Sequence, residues 1–178
     1  MTAPRLRPAT PDDLDPIVDL HIRVWRDTYR DLVPPEAFAA LNHTRRRPAW
    51  EAALAPGEPR RGTLVAEQDG ALLGLVSYGP PRHEIFGTSG EIKHLYVDLA
   101  HRRWGHGETL LRAGLDALEK AGFPSVALAV VAGNVSALAF YQKLGGVVGG
   151  WFFDPGPLWQ SENLLLRWEA LAAGESEG

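Results

Sequence analysis

Two glycines behind a pair of arginines, in Arg102-Arg103-Trp104-Gly105-His106-Gly107, are the residues of this chain best suited to hold an anion. The run before them, Glu91-Ile-Lys-His-Leu-Tyr-Val, is strand-like, and the run after them has helical spacing. The glycines therefore fall at a helix N-terminus. There the first N–H groups lack intrahelical acceptors, and the helix dipole favours negative charge. Glycine lets the backbone approach phosphate oxygens closely, and the arginines add charge. The combination suits a pyrophosphate. The ordinary alternative is a glycine turn before a surface helix, since neither G-x-G-x-x-G nor G-x-x-x-x-G-K-[ST] is present.

Other residue types bound the chemistry further. The chain has no cysteine, which removes disulfides, thiolate zinc sites and a cysteine nucleophile together. No G-x-S-x-G elbow offers a serine in its place. His94, His101 and His106 lie on a strand, a loop and a helix start, without H-E-x-x-H spacing, so no metal is expected. His21 reads as a partly buried residue of an amphipathic helix, and His83 and Glu84 as exposed loop residues that could touch a substrate. The run Arg45-Arg46-Arg47 reads as a solvated helix face.

The elements that must position these residues follow from hydrophobic spacing. Arg5-Leu6-Arg7 opens with a short edge strand. Thr10 as N-cap, Pro11 at N1 and acidic Asp12 and Asp13 start a helix that runs to about Tyr29. Pro34-Pro35 restarts a second helical stretch, and 45–55 offers a third. Residues 63–68 and 71–78 flank Asp69-Gly70, a strong hairpin signal. The charged stretch 80–90 reads as a loose, mobile linker from this hairpin to a strand over 91–98. A helix over 105–121 carries Leu110, Leu111, Leu115 and Leu118 on one face and stops at Gly122 and Pro124. The continuous apolar run 125–131 reads as a strand buried on both faces. Asn134 caps a helix to Leu144, and 147–153 and 163–168 form a last strand pair. The order β-α-α-β-β-β-α-β-α-β-β predicts one α/β domain over 1–171 with a mixed sheet, followed by an unfolded tail over 172–178.

Composition agrees with that class. The 178 residues fit one domain, and 45% apolar with 22% charged residues is ordinary for a globular protein. The net charge of −4 does not suit a nucleic-acid partner. The start of the chain has no apolar leader core, and the longest apolar run, 126–132, is far too short to span a membrane. No membrane association and a cytoplasmic location are therefore expected. Self-association as a homodimer through the edge of the final strands is plausible.

Three separated segments resemble the GCN5-related N-acetyltransferases. Arg102-x-x-Gly105-x-Gly107 looks like that family's motif A, Gln/Arg-x-x-Gly-x-Gly/Ala, and the strand before it looks like the family's fourth. The segment Asn134-Val-Ser-Ala-Leu-Ala-Phe-Tyr141-Gln-Lys-Leu-Gly145 looks like motif B, and the opening helix with Trp25-Arg-Asp-Thr-Tyr29 is similar to that of some members. Trp104 and His106 stand where basic and aliphatic residues are commoner, and Gly146 replaces an aromatic. The resemblance spans Arg5 to Trp168 and implies a mostly antiparallel twisted sheet with a splayed central strand pair.

It also implies acetyl-coenzyme A as cosubstrate and a primary amine of a small molecule or peptide as acceptor. Backbone N–H groups of Arg102, Arg103, Trp104, Gly105, His106, Gly107 and Glu108 would hold the pyrophosphate, with Thr109 adding a hydroxyl. The strand edge at Leu95, Tyr96 and Val97 would pair with the pantetheine arm, and Asn134 would bind that arm or order the loop. N–H groups near Val97 would supply the oxyanion donor. Glu91, 14 residues before Gly105 and on one strand face with Lys93, Leu95 and Val97, is the expected catalytic base. Tyr141, seven residues and two turns after Asn134, is the expected acid. Trp25, Tyr29 and Phe153 are the expected acceptor-site residues. Without cysteine the transfer would be direct, in a ternary complex. Two other readings remain open: an acyl-coenzyme A sensor or interaction module without catalysis, and a nucleotide-binding regulator.

Overall fold

The computed structural model describes residues 3–169, so the expected tail at 172–178 lies outside the described residues. Among the described residues, seven strands form one sheet: β1 Arg5–Pro8, β2 Gly62–Gln68, β3 Ala71–Gly79, β4 Gly90–Val97, β5 Ser125–Val131, β6 Val147–Asp154 and β7 Ser161–Glu169. Five α-helices of that segment flank it: α1 Leu14–Tyr29, α2 Pro35–Ala40, α3 His43–Leu54, α4 His106–Lys120 and α5 Val135–Lys143. The strand order is β1-β2-β3-β4-β5-β7-β6, antiparallel throughout except for the central parallel pair β4–β5.

Local sequence signals account for most boundaries. Asp69 and Gly70 both take positive φ, +51° and +80°, the primed turn that an Asp-Gly hairpin requires. Gly122 at φ +86° follows the end of α4, where only a residue free of a Cβ turns the chain without strain. The amphipathic stripes divide the core. Leu110, Leu111 and Leu118 of α4 pack with Val76, Ile92, Val126 and Leu166 on one side of the sheet. Ile17, Val18 and Leu20 of α1 pack with Trp50 of α3, Val65 and Leu75 on the other.

Three expectations need correction. The stretch 80–90 is not a loose linker: Phe86 is fully buried in a short turn at Glu84–Phe86 and packs with Ala127, Leu165 and Phe152. Its apolar anchor holds the turn, and His83 stacks on the same Phe86 ring. Arg46 does not lie on a solvated face with its neighbours. Arg47 pairs with Asp15 and Arg45 donates to the Pro157 carbonyl, both outward, while Arg46 is half-buried with its Nε sequestered. Finally, Glu91 does not share a face with Leu95 and Val97. A register shift pairs Ile92 with Tyr78 and His94 with the adjacent Ser77, so Lys93 is an inserted residue. Such a bulge reverses the alternation beyond it, and Ile92, Leu95 and Val97 all pack against the α4 side.

A charge clamp ties the N-terminus to the sheet. Arg7 grips Asp13 through two bonds of 2.8 and 2.9 Å and reaches Glu67 at 2.6 Å. Asp13 in turn accepts the Thr10 N–H at 2.7 Å, closing the start of α1. The Arg7 hydrogen bond, against an opposing burial cost, holds the Asp13 carboxyl at about 2. A carboxyl lowered in the folded state adds stability that is complete above about pH 4 and lost as the pH falls toward 2. Asp13→Asn is therefore expected to cost on the order of 2 kcal/mol at neutral pH. It should also flatten the melting-temperature curve between about pH 4 and 2; an acid slope equal to wild type would show that the clamp carries no linkage.

Candidate functional site

The sheet opens where β4 and β5 part. Their pairing is limited to Gly90↔Val126 and Glu91↔Ala127, after which β5 continues to pair only with β7. The bulge at Lys93 lies at this point and turns β4 away from its parallel neighbour. A cavity of about 770 Å³ fills the gap, with 92–97 of β4 on one wall and 128–130 of β5 on the other. The β4 edge beyond Glu91 faces this space without a partner strand, so its backbone groups are free to pair with an extended ligand.

One end of the cavity is the glycine loop. Arg102, Arg103, Gly105, Gly107 and Glu108 line it. The first helical bond of α4 runs from Thr109 N–H to the Gly105 carbonyl at 3.1 Å, so the N–H groups of His106, Gly107 and Glu108 have no intrahelical acceptor. Gly105 has φ +86°, and Arg103 has φ +67°, a conformation that L side chains seldom adopt. An arginine held there marks a backbone shaped for a purpose other than its own comfort, and left-handed residues in such loops turn N–H groups toward a shared anion site. Arg102 is braced by Asp27 of α1 at 2.9 Å. The Thr109 hydroxyl donates to the Gly105 carbonyl at 3.1 Å within its own helix turn. Trp104 and His106 stand beside the lining, not in it: Trp104 is 63% exposed against the His101 and His106 rings.

The middle of the cavity carries three phenols. Tyr29, Tyr96 and Tyr141 all line it, with Asn134 between α5 and α1. Asn134 accepts the Ala137 N–H at 3.3 Å to cap α5 and lines the same cavity as Tyr29. Burial pushes all three phenols above their ordinary range, so each stays a neutral O–H donor. Tyr141 is fixed edge-on by Phe140 and Trp168, at 5.2 and 6.1 Å between ring centres. Leu95 and Val97 line the β4 wall beside Tyr96.

The other expected residues lie outside the lining. Glu91 is 1% exposed, with Oε2 accepting the Arg82 N–H at 2.8 Å and Oε1 accepting the guanidinium at 2.7 and 3.1 Å. Trp25 is buried behind Tyr29, ring centres 5.1 Å apart, and supports that ring without facing the cavity. Phe153 is 55% exposed on the edge strand β6, its ring edge-on to Trp151 with centres 5.5 Å apart. The sequence missed His94, which lines the cavity and shares a 2.8 Å hydrogen bond with Ser77. It missed Arg82 as well, because a residue in a charged loop carries no signal of the distant carboxylate that it meets.

Comparison with known proteins matches this geometry. The family model described as Acetyltransferase (GNAT) family matches residues 20–146. The uncharacterized N-acetyltransferase YuaI of Bacillus subtilis is 31% identical over 138 residues, 77% of this chain and 76% of that protein. Among solved structures, the PaiA N-acetyltransferase of Thermoplasma acidophilum in complex with coenzyme A superimposes with a TM-score of 0.76 at 18% identity, over 95% of this chain and 100% of that one. YncA, a putative acetyltransferase of Salmonella typhimurium with acetyl-CoA, superimposes with a TM-score of 0.71 at 19% identity, over 98% and 99%.

Proposed function

Because this chain belongs to the acetyltransferase (GNAT) family, we propose that it transfers acetyl from acetyl-coenzyme A to a primary amine by direct attack in a ternary complex. The observation that carries this reading is the single cavity that joins an anion-ready loop, an unpaired strand edge and a neutral phenol. The loop from Arg102 to Glu108 would hold the pyrophosphate on the free N–H groups of His106, Gly107 and Glu108. The β4 edge at Leu95, Tyr96 and Val97 would pair with the pantetheine arm. This arm would lay the thioester beside Tyr141.

The amine nitrogen then attacks the thioester carbon, and an N–H of the β4 edge steadies the oxyanion. Collapse of the tetrahedral species breaks the C–S bond, and the Tyr141 hydroxyl gives its proton to the departing thiolate. Glu91 is the expected base, yet both its oxygens engage Arg82. Those contacts support a positioning role, which holds the 80–90 loop against the start of β4. The ammonium proton would leave through water, and water would return a proton to the Tyr141 oxygen.

The position of Glu91 also favours a second reading, a module that binds acyl-coenzyme A without catalysis. Tyr141 in the cavity lining supports the enzyme. A thermal-shift series separates both from other nucleotide binders. Acetyl-coenzyme A at about 100 times its dissociation constant should add roughly 2.7 kcal/mol, or on the order of 5–10 °C, with no response to ATP or NAD. No shift at millimolar ligand would withdraw coenzyme A as the cosubstrate. Production of free thiol with an amine panel then separates enzyme from sensor.

A further inference from the structure

One ring of the cavity wall takes no part in the steps proposed for the transfer. His94 is the first residue of β4 past the bulge, half-buried, where the two central strands part. Past Lys93 the side chains of Leu95 and Val97 turn toward α4, so His94 and Tyr96 face α1. Thr28 and Tyr29 of α1 line the same space. Tyr141 packs with the α4-side cluster, so His94 and Tyr141 border the cavity from opposite faces of the sheet. A proton acceptor for the incoming nitrogen and a donor for the outgoing sulfur need such a division.

Ser77, directly opposite on β3, shares a 2.8 Å hydrogen bond with Nδ1 of this ring. The rings of Trp50, His21 and Tyr96 pack around it, 5.0, 5.3 and 5.7 Å away. His21 Nε2 is sequestered, but His94 Nε2 is not, and among the described residues it has no protein partner. That nitrogen is left open to the cavity. Burial, with His21, Arg82, Arg46 and Lys93 around the ring, holds it well below the ordinary histidine range, so it is neutral at neutral pH. The other titratable groups of the lining do not compete. The three tyrosines are neutral donors, and Glu108 is engaged by Arg112 at the loop end. Lys93 turns its amine back to Gly79, Lys143 sits at the end of α5 remote from Asn134, and the arginines are fixed cations. Glu91, outside the lining, is taken up by Arg82.

We propose that His94 is the catalytic base: its Nε2 takes the proton that leaves the amine nitrogen, directly or through one water, while Ser77 holds the ring by Nδ1. This rests on the acetyl-transfer reading and names the group that receives the ammonium proton. With Nδ1–H donated to Ser77 Oγ, Nε2 keeps its lone pair for that proton. The neutral amine forms the C–N bond, and the adduct nitrogen, now on an electron-poor carbon, is far more acidic than a free ammonium. A weakly basic ring therefore suffices. The C–S bond breaks, Tyr141 protonates the sulfur, and the imidazolium returns its proton through water to the Tyr141 oxygen. The protein ends in the protonation state in which it began.

The test uses thiol release with glycinamide, putrescine, tyramine and a tripeptide as amines. His94→Asn keeps an amide near the Nδ1 position for Ser77 and removes Nε2. It should lower kcat about 100-fold, leave the acetyl-coenzyme A thermal shift that of wild type, and abolish the acidic limb of kcat below about pH 6.5. Ser77→Ala, which keeps the ring but frees it, should lower kcat roughly 10-fold. Nitrogen-15 NMR of the wild-type complex with acetyl-coenzyme A should show His94 Nε2 without a proton at neutral pH, a readout that needs neither an acceptor nor a variant. A protonated Nε2, a loss confined to KM, or an acidic limb that survives in His94→Asn would each overturn the proposal. Wild-type turnover that neither substitution lowers would overturn it alone. No thiol release with any of these amines in wild type would overturn the transfer reading along with it.

Discussion

Tyr141→Phe is expected to lower kcat by about 100-fold or more while acetyl-coenzyme A binds as before. The loss is that of a proton donor and nothing else. Phe140 and Trp168 hold the ring edge-on, and those contacts survive removal of the hydroxyl. Burial keeps the phenol protonated throughout the working range, so the wild-type group is always able to donate. A thiolate leaving group can depart unaided when the solution is alkaline enough, so the defect should shrink as pH rises. The measurement is a pH series of kcat for both proteins, with the acetyl-coenzyme A thermal shift as control. Equal turnover would remove Tyr141 as the acid and return it to a packing role beside Phe140.

Arg82→Met is expected to destabilise the fold by about 3 kcal/mol, or on the order of 6–12 °C in melting temperature. Glu91 is almost wholly buried, and without the Arg82 guanidinium its carboxylate would keep only the Arg82 backbone N–H. An uncompensated buried charge is far more costly than a missing pair. The double variant Arg82→Met with Glu91→Gln should therefore regain much of the loss. The same carboxylate tests the division of roles in the site. If Glu91 positions β4, Glu91→Gln leaves the acidic limb of the pH–rate profile in place while lowering the melting temperature. A flattened limb with unchanged stability would make Glu91 the base.

The chain made its anion loop, its hairpin and its helix stripes legible because each depends on neighbours in sequence. Gly105 and Gly107 sit between a strand and a helix, and the N–H groups of a helix start are free whatever the rest of the fold does. Asp69-Gly70 fixes its own turn. The placement of Asn134 and Tyr141 on one cavity wall followed from helical spacing, and both line it. A seven-residue separation on a helix survives any tertiary context that keeps the helix whole.

Other features were decided at long range. One residue inserted in β4 opposite Ser77 and Tyr78 moved Glu91 to the side away from Leu95 and Val97, because strand alternation carries no memory across a bulge. Phe86 in a charged loop gave no periodic signal, yet it found a pocket between β5 and β7. Arg46 looked like one of three solvated arginines until α3 packed against α1 with Trp50 inward, which left the Arg46 side chain half-buried with its Nε sequestered. The sequence by itself determined the family, nearly all the order of elements and a glycine-rich helix start with free N–H groups. Tertiary structure decided which charges are buried and which are paired, since burial and pairing depend on residues far apart in the chain.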